Sequence, residues 1–145
     1  MPERETLERA RRDKRQGKAA STQAGEFVRE EIEHIREGKH GARSTKQAIA
    51  IGLSKARRAG VELEPPETGS KSVRKQAARD LQKGKSGSKK KSAKRSRAAS
   101  RALKDEGHSA ASKEALSRQA RTSARQRSAA DRSRAAKKAA RTRKK

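Results

Sequence analysis

The side chains with the most evident chemistry are cations. The run "KKKSAKRSR" supplies Lys89, Lys90, Lys91, Lys94, Arg95 and Arg97, and Arg101 follows it. "SRQARTSARQR" adds Arg118, Arg121, Arg125 and Arg127. "DRSRAAKKAARTRKK" closes the chain with Arg132, Arg134, Lys137, Lys138, Arg141, Arg143, Lys144 and Lys145. Lys and Arg at this density neutralise a polyanion. Each phosphate they contact releases a condensed counterion, which gives an affinity that is strong, indifferent to sequence and sensitive to salt. These positions are therefore the predicted nucleic-acid-binding residues. Lys46, Lys55, Arg57 and Arg58 form a smaller set that a neighbouring helix can add.

Other chemistries find little support. His34 and His40 lie near Glu30, Glu33 and Glu37, but no H-E-x-x-H or similar spacing is present. The expectation is solvated imidazoles, no metal and no cofactor, and the same holds for His108. There is no Gly-rich phosphate loop, no G-x-S-x-G and no carboxylate pair in an apolar setting. Cys is absent, so there is no thiolate nucleophile, disulfide or thiolate metal site. Neither a catalytic residue nor a small-molecule substrate is expected, and the chain is not read as an enzyme. Ser96, Ser100 and Ser128 sit beside cations, where phosphorylation would weaken contact with DNA.

Composition limits what can position these residues. Of 145 residues, 28% are hydrophobic and 41% charged; Phe27 is the one aromatic, and the net charge is +25. Such a chain buries too little apolar surface to offset much ordering entropy. The prediction is a mostly α fold: a short helical hairpin with a long basic, low-complexity tail, partly disordered or nascent-helical. No apolar run reaches the length of a transmembrane helix, and the N-terminal segment has no apolar core of a signal peptide. The tail also lacks the Phe, Trp and Leu face of a membrane-surface helix. No membrane partner is expected, and the bacterial nucleoid in the cytoplasm is the expected location.

Charge divides the chain. Residues 1–67 hold 15 Lys and Arg against 12 Asp and Glu, whereas residues 68–145 hold 27 against 5. Pro65, Pro66 and Gly69 mark the boundary. Four parts result: a charged N-terminal helix or arm over 1–21, a helical hairpin over 22–64, a Pro/Gly linker over 65–70 and the basic tail over 71–145. Leu7 is the only large apolar residue of "PERETLERARRDKRQG", a helix expected to fray. In the hairpin, Ser21 or Thr22 is the predicted cap of a helix whose apolar residues are Ala24, Phe27, Val28, Ile32 and Ile35. Ser44 and Gln47 form an S-x-x-Q capping box for the next helix, whose predicted buried face is Ile49, Leu53 and Ala56, widened by Ala48, Ile51 and Gly52. Gly60 and Val61 fit a Schellman stop. So few apolar residues make an isolated hairpin marginal, needing a dimer partner, a third helix or a ligand. In the tail, Val73, Ala77 and Leu81 predict a short helix, and "SRAASRAL" (96–103) weakly repeats as "SAASKEAL" (109–116).

The segment from Gly25 to Val61 resembles a family of small basic bacterial and phage proteins without assigned function, marked by a "KQAIAI" helix after a short basic loop. Lys46, Gln47, Ala48, Ile49, Ala50, Ile51, Leu53 and Ala56 carry the resemblance. Some members are labelled plasmid stabilisation proteins, which implies a role in DNA maintenance. The tail is similar in composition to the tails of linker histones and to bacterial histone-like proteins. The combined expectation is a histone-like DNA-binding protein that acts by phosphate neutralisation without reading sequence. Duplex DNA is favoured because the tail has no aromatic platform for stacking single-stranded bases. The alternatives are an RNA- or ribosome-associated protein and a protein-interaction module of a plasmid stabilisation system. The expected partners are nucleic acid and a second copy of the chain, paired through the hairpin's apolar face.

Overall fold

The structure, a computed structural model, describes residues 1–87 and 91–144. Its elements are α1 (Arg4–Arg15), α2 (Ala20–Arg36), α3 (Thr45–Arg58), α4 (Lys71–Ser86), α5 (Ala93–Lys104), a 3₁₀ turn (Ser109–Ala111), α6 (Lys113–Gln126) and α7 (Ala129–Arg143). The chain is thus mostly α, with no strand among the described residues.

α3 starts and stops where its punctuation predicts. Ser44 Oγ accepts from Gln47 N at 3.2 Å. The return arm of the box differs, because Gln47 Oε1 accepts from Arg43 N at 2.7 Å. At the other end Gly60 takes φ 96°, with Val61 N bonded to Ala56 O (3.0 Å) and Gly60 N to Arg57 O (3.1 Å). That is the Schellman pattern, and Val61 is carried into the core by it.

The buried face of α3 differs from the predicted one. Ala48, Gly52 and Ala56 are buried, whereas Ile49, Ile51 and Leu53 are half-buried. The reason is close packing: a Cβ on Gly52 would sit 2.7 Å from the Val28 Cα of α2. Small residues let the two backbones approach, and the bulkier side chains are turned to the flank. α2 also starts earlier than expected, at Ala20 with no side-chain cap, so Ser21 and Thr22 lie inside its first turn. Gln23 Nε2 instead donates to Lys18 O at 3.0 Å.

The third helix that the hairpin lacked comes from outside it. α1 is no frayed arm: Thr6, Ala10 and Asp13 are buried against α2, and Arg9 Nε reaches Glu26 Oε2 at 2.6 Å. One core cluster joins Ala10, Ala24, Phe27, Ala56 and Val61, flanked by Leu7, Ala20, Leu53 and Leu63. The helix itself was legible in its mixed-charge spacing, but its docking was not, because its core contribution is two small residues and one Leu. α4 docks on the other side of α3. Ala77, Asp80 and Leu81 are buried while Val73 stays exposed. Asp80 accepts from Arg58 Nε at 2.7 Å, Ser54 Oγ at 2.8 Å and Gln76 Nε2 at 3.1 Å.

The tail also differs from an unstructured chain. A second core cluster joins Ile32, Ile35, Ala42 and Ala48 to Ala110 and Ala111, with Val28 and Leu116 beside them. Thr45 Oγ1 donates to Ala110 O at 2.7 Å and Arg36 Nε to Ala111 O at 2.9 Å. The two copies of the weak repeat have different fates: the first forms α5, and the second docks into the core. Two alanines and a Leu are too slight a signal to mark core in an Ala-rich tail.

Candidate nucleic-acid interface

α4, α5, α6 and α7 begin at Ser70, Ser92, Ser112 and Ser128. Each hydroxyl accepts from a backbone N–H three residues on: Val73 (3.2 Å), Arg95 (3.4 Å), Ala115 (3.1 Å) and Asp131 (3.1 Å). Each such cap stabilises a helix by about 1 kcal/mol. Ser128 is a helix cap as well as a candidate phosphosite, and its hydroxyl also donates to Asp131 Oδ2 at 2.7 Å. Between the caps, Ala supplies the highest helix propensity of any residue.

These helices arrange the predicted cations. Lys89, Lys90 and Lys145 lie outside the described residues. Lys91 and Arg127 flank helices, Lys144 ends the last one, and all three are exposed. The remaining predicted tail cations sit on α5, α6 or α7, and every one of them is exposed. On α5, Lys94, Arg97 and Arg101 fall at i, i+3 and i+7, with Arg95 beside the stripe. On α6, Arg118, Arg121 and Arg125 repeat the spacing. On α7, Arg134, Lys137, Lys138 and Arg141 share a face, while Arg132 and Arg143 point the other way. Each helix therefore carries a cationic stripe about 10 Å long. The spacing was present in the sequence, but it becomes meaningful only once the helices and their boundaries are given.

Among the described residues, only Arg134 of these tail cations has a carboxylate within ion-pair distance, that of Asp131. Hydrogen bonds from Ser128 and Arg134 hold the Asp131 carboxyl below its usual range. Two other tail acids face the hairpin: Asp80 meets Arg58, and Glu106 lies 3.7 Å from Arg43.

The hairpin set behaves differently. Lys46 is exposed. Lys55 Nζ is held by Glu31 Oε2 at 2.5 Å and Arg58 by Asp80. Arg57 is buried, its guanidinium donating to Leu63 O at 2.9 Å and Glu64 O at 3.1 Å. Three of the four cations thus hold the fold together.

The expected solvated histidines are a further difference. His34 and His40 are mostly covered, at 14% and 15% side-chain exposure, because the loop after α2 folds His40 back onto Glu31. The ligand-type atoms of Glu31, His34 and His40 all lie within 4.8 Å of one another, so these three residues can hold a metal ion.

Fold and surface together define an all-α, strongly basic chain in which no described helix is long and apolar enough to cross a membrane. No protein-family model, curated protein or solved structure matches it.

Proposed function

We propose that the chain is a histone-like protein that binds duplex nucleic acid, DNA foremost, by neutralising backbone phosphates without reading base sequence. The observation that carries the reading is the set of exposed stripes on α5, α6 and α7, whose cations are almost free of carboxylate partners. A phosphate backbone is the partner chemistry that satisfies many such cations at once. Like charges at i, i+4, such as Arg134 with Lys138 and Lys137 with Arg141, oppose helix formation in free solution. Phosphate removes that repulsion, so α7 completes its helix on the nucleic acid and is a partly disordered arm without it. The hairpin positions the tail, and its resemblance to proteins labelled for plasmid stabilisation agrees with a role in DNA maintenance at the nucleoid.

The test is duplex DNA binding by fluorescence anisotropy across a range of KCl concentrations. The full chain should give a linear log–log plot, with about 0.9 units of slope for each phosphate neutralised. Replacing Arg134, Lys137, Lys138 and Arg141 with Gln should lower that slope by up to about 3.6 units. An unchanged slope would remove α7 from the interface. A preference for structured RNA in competition would reassign the partner, and a complex that survives high salt would point to a protein partner instead.

A further inference from the structure

Glu31 and His34 stand at i, i+3 on one face of α2. His40 comes back to them through the turn at Gly38, which takes φ 75°, with Gly38 N bonded to Ile35 O (3.1 Å) and Lys39 N to His34 O (3.0 Å). The two imidazoles meet edge to face, with centroids 6.2 Å apart and planes at 85°. Glu31 is 1% exposed.

The contacts of His40 orient its ring. Its Nδ1 lies 3.0 Å from Gly41 O, a pure acceptor, so Nδ1 carries a proton. Its Nε2 lies 2.9 Å from Glu31 Oε1. Nε2 is therefore the ring atom that faces the Glu31 carboxylate across the cluster. His34 has a comparable outer partner: its Nε2 lies 2.8 Å from Glu3 Oε1, which orients the ring and leaves Nδ1 to bind. A carbonyl behind one imidazole and a carboxylate behind the other are the contacts that metal-binding histidines make.

Lys55 is the apparent obstacle, because its Nζ already neutralises Glu31. It has a second acceptor close by. Glu30 Oε1 lies 3.8 Å from the same Nζ, and it is buried with no hydrogen-bond partner among the described residues. A small shift of the ammonium gives Glu30 its missing partner and frees Glu31. Around the cluster stand the carboxylates of Glu3, Glu30 and Glu37 and the ammonium groups of Lys39, Lys55 and the N-terminus, with Lys91 close to the last.

We propose that Glu31, His34 and His40 bind a divalent transition-metal ion of the zinc type, with Lys55 moving to Glu30 as the ion enters. Two imidazoles and one carboxylate suit zinc, whose bonds to such ligands are about 2.0–2.2 Å. Bonds of that length set ligand atoms about 3.3 Å apart, so His40 Nε2 and Glu31 Oε1, at 2.9 Å, open slightly while the wider separations, within 4.8 Å, close. The ion ties α2 to the loop that receives the tail. Gly41 N and Ala42 N of that loop donate to Leu103 O (2.8 Å) and Gly107 O (3.0 Å). The ion therefore braces the junction between α2 and the tail, with water completing its coordination.

The experiment titrates the metal-free full chain with zinc chloride in phosphate-free buffer. One ion per chain is expected, with the thermal midpoint raised by roughly 5–10 °C at about a hundredfold excess over Kd. Cobalt should give the intense visible bands of a tetrahedral site. Glu31→Gln breaks the pair with Lys55 and risks unfolding, so His34→Asn and His40→Asn carry the test, each checked for helicity by circular dichroism. Each should weaken zinc at least about tenfold, and His108→Ala, which lies outside the cluster, should not. Absence of saturable zinc binding would overturn the proposal and leave His40 as a hydrogen-bonded clasp on Glu31. Binding indifferent to both variants would overturn it equally.

Discussion

Asp80 shows how one residue can decide where an element lies. It is 1% exposed, on a helix whose apolar contribution is Ala77 and Leu81. Burial alone would raise its carboxyl. Hydrogen bonds from Ser54, Arg58 and Gln76, with the Arg58 charge, outweigh burial and hold it below its usual range. The folded pKa is thus depressed, so Asp80 contributes stability in full above the ordinary carboxylate value. That contribution is lost as pH falls through the lower folded value. Asp80→Asn should lower stability by about 1–3 kcal/mol in urea melts at neutral pH. It should also flatten the acid limb of stability against pH below about 4. An acid limb identical to that of the unaltered chain would exclude Asp80 as its source. The sequence displays Asp80 as one of the tail's few acids. Its partners Ser54 and Arg58 are more than twenty positions away and cannot be read from it.

At the scale of elements, α2 and α3 meet through small residues, and their glycines are not equivalent. A Cβ on Gly52 would strike Val28, whereas a Cβ on Gly25, inside α2, would meet nothing within 4 Å. Gly52→Ala should therefore destabilise by about 1–3 kcal/mol through forced separation of the helices. Gly25→Ala should stabilise by about 0.5–1 kcal/mol through helix propensity alone. Thermal melts of the two variants should move in opposite directions, and a shared direction would contradict the close-packed interface. The start and stop of α3 were legible because a cap is local: Ser44 with Gln47, and Gly60 with Val61, lie within a few residues of each other. The buried face was legible in outline, Ala48, Gly52 and Ala56 lying on it, but not which of its residues are most buried. Hydrophobic periodicity weights Ile49 and Leu53 above Ala48 and Gly52, and close backbone approach reverses that order.

For the whole molecule, the charge boundary at residue 67 and the folding boundary do not coincide. Ala110, Ala111 and Leu116 complete a core cluster with α2 and α3. By contrast α7 has no buried residue, and its Arg132 Nη1 reaches back to Ala124 O at 3.3 Å. A chain ending after Arg127 should keep its thermal midpoint within about 2 °C, whereas one ending after Glu106 should lose roughly 5 °C or more. Equal midpoints for the two truncations would show that the docked 3₁₀ turn adds nothing to stability.

The sequence by itself determined the helical class, the ends of α3 and the concentration of positive charge in the second half. These follow from composition and from interactions between residues a few positions apart. Only the tertiary structure decided that α1 and α4 flank the hairpin, that part of the tail enters the core, and that Glu31, His34 and His40 converge. Those contacts join residues far apart in the chain, often through alanines, glycines or a single buried charge. Such residues look alike on paper until a neighbouring backbone covers some of them and leaves the others in water.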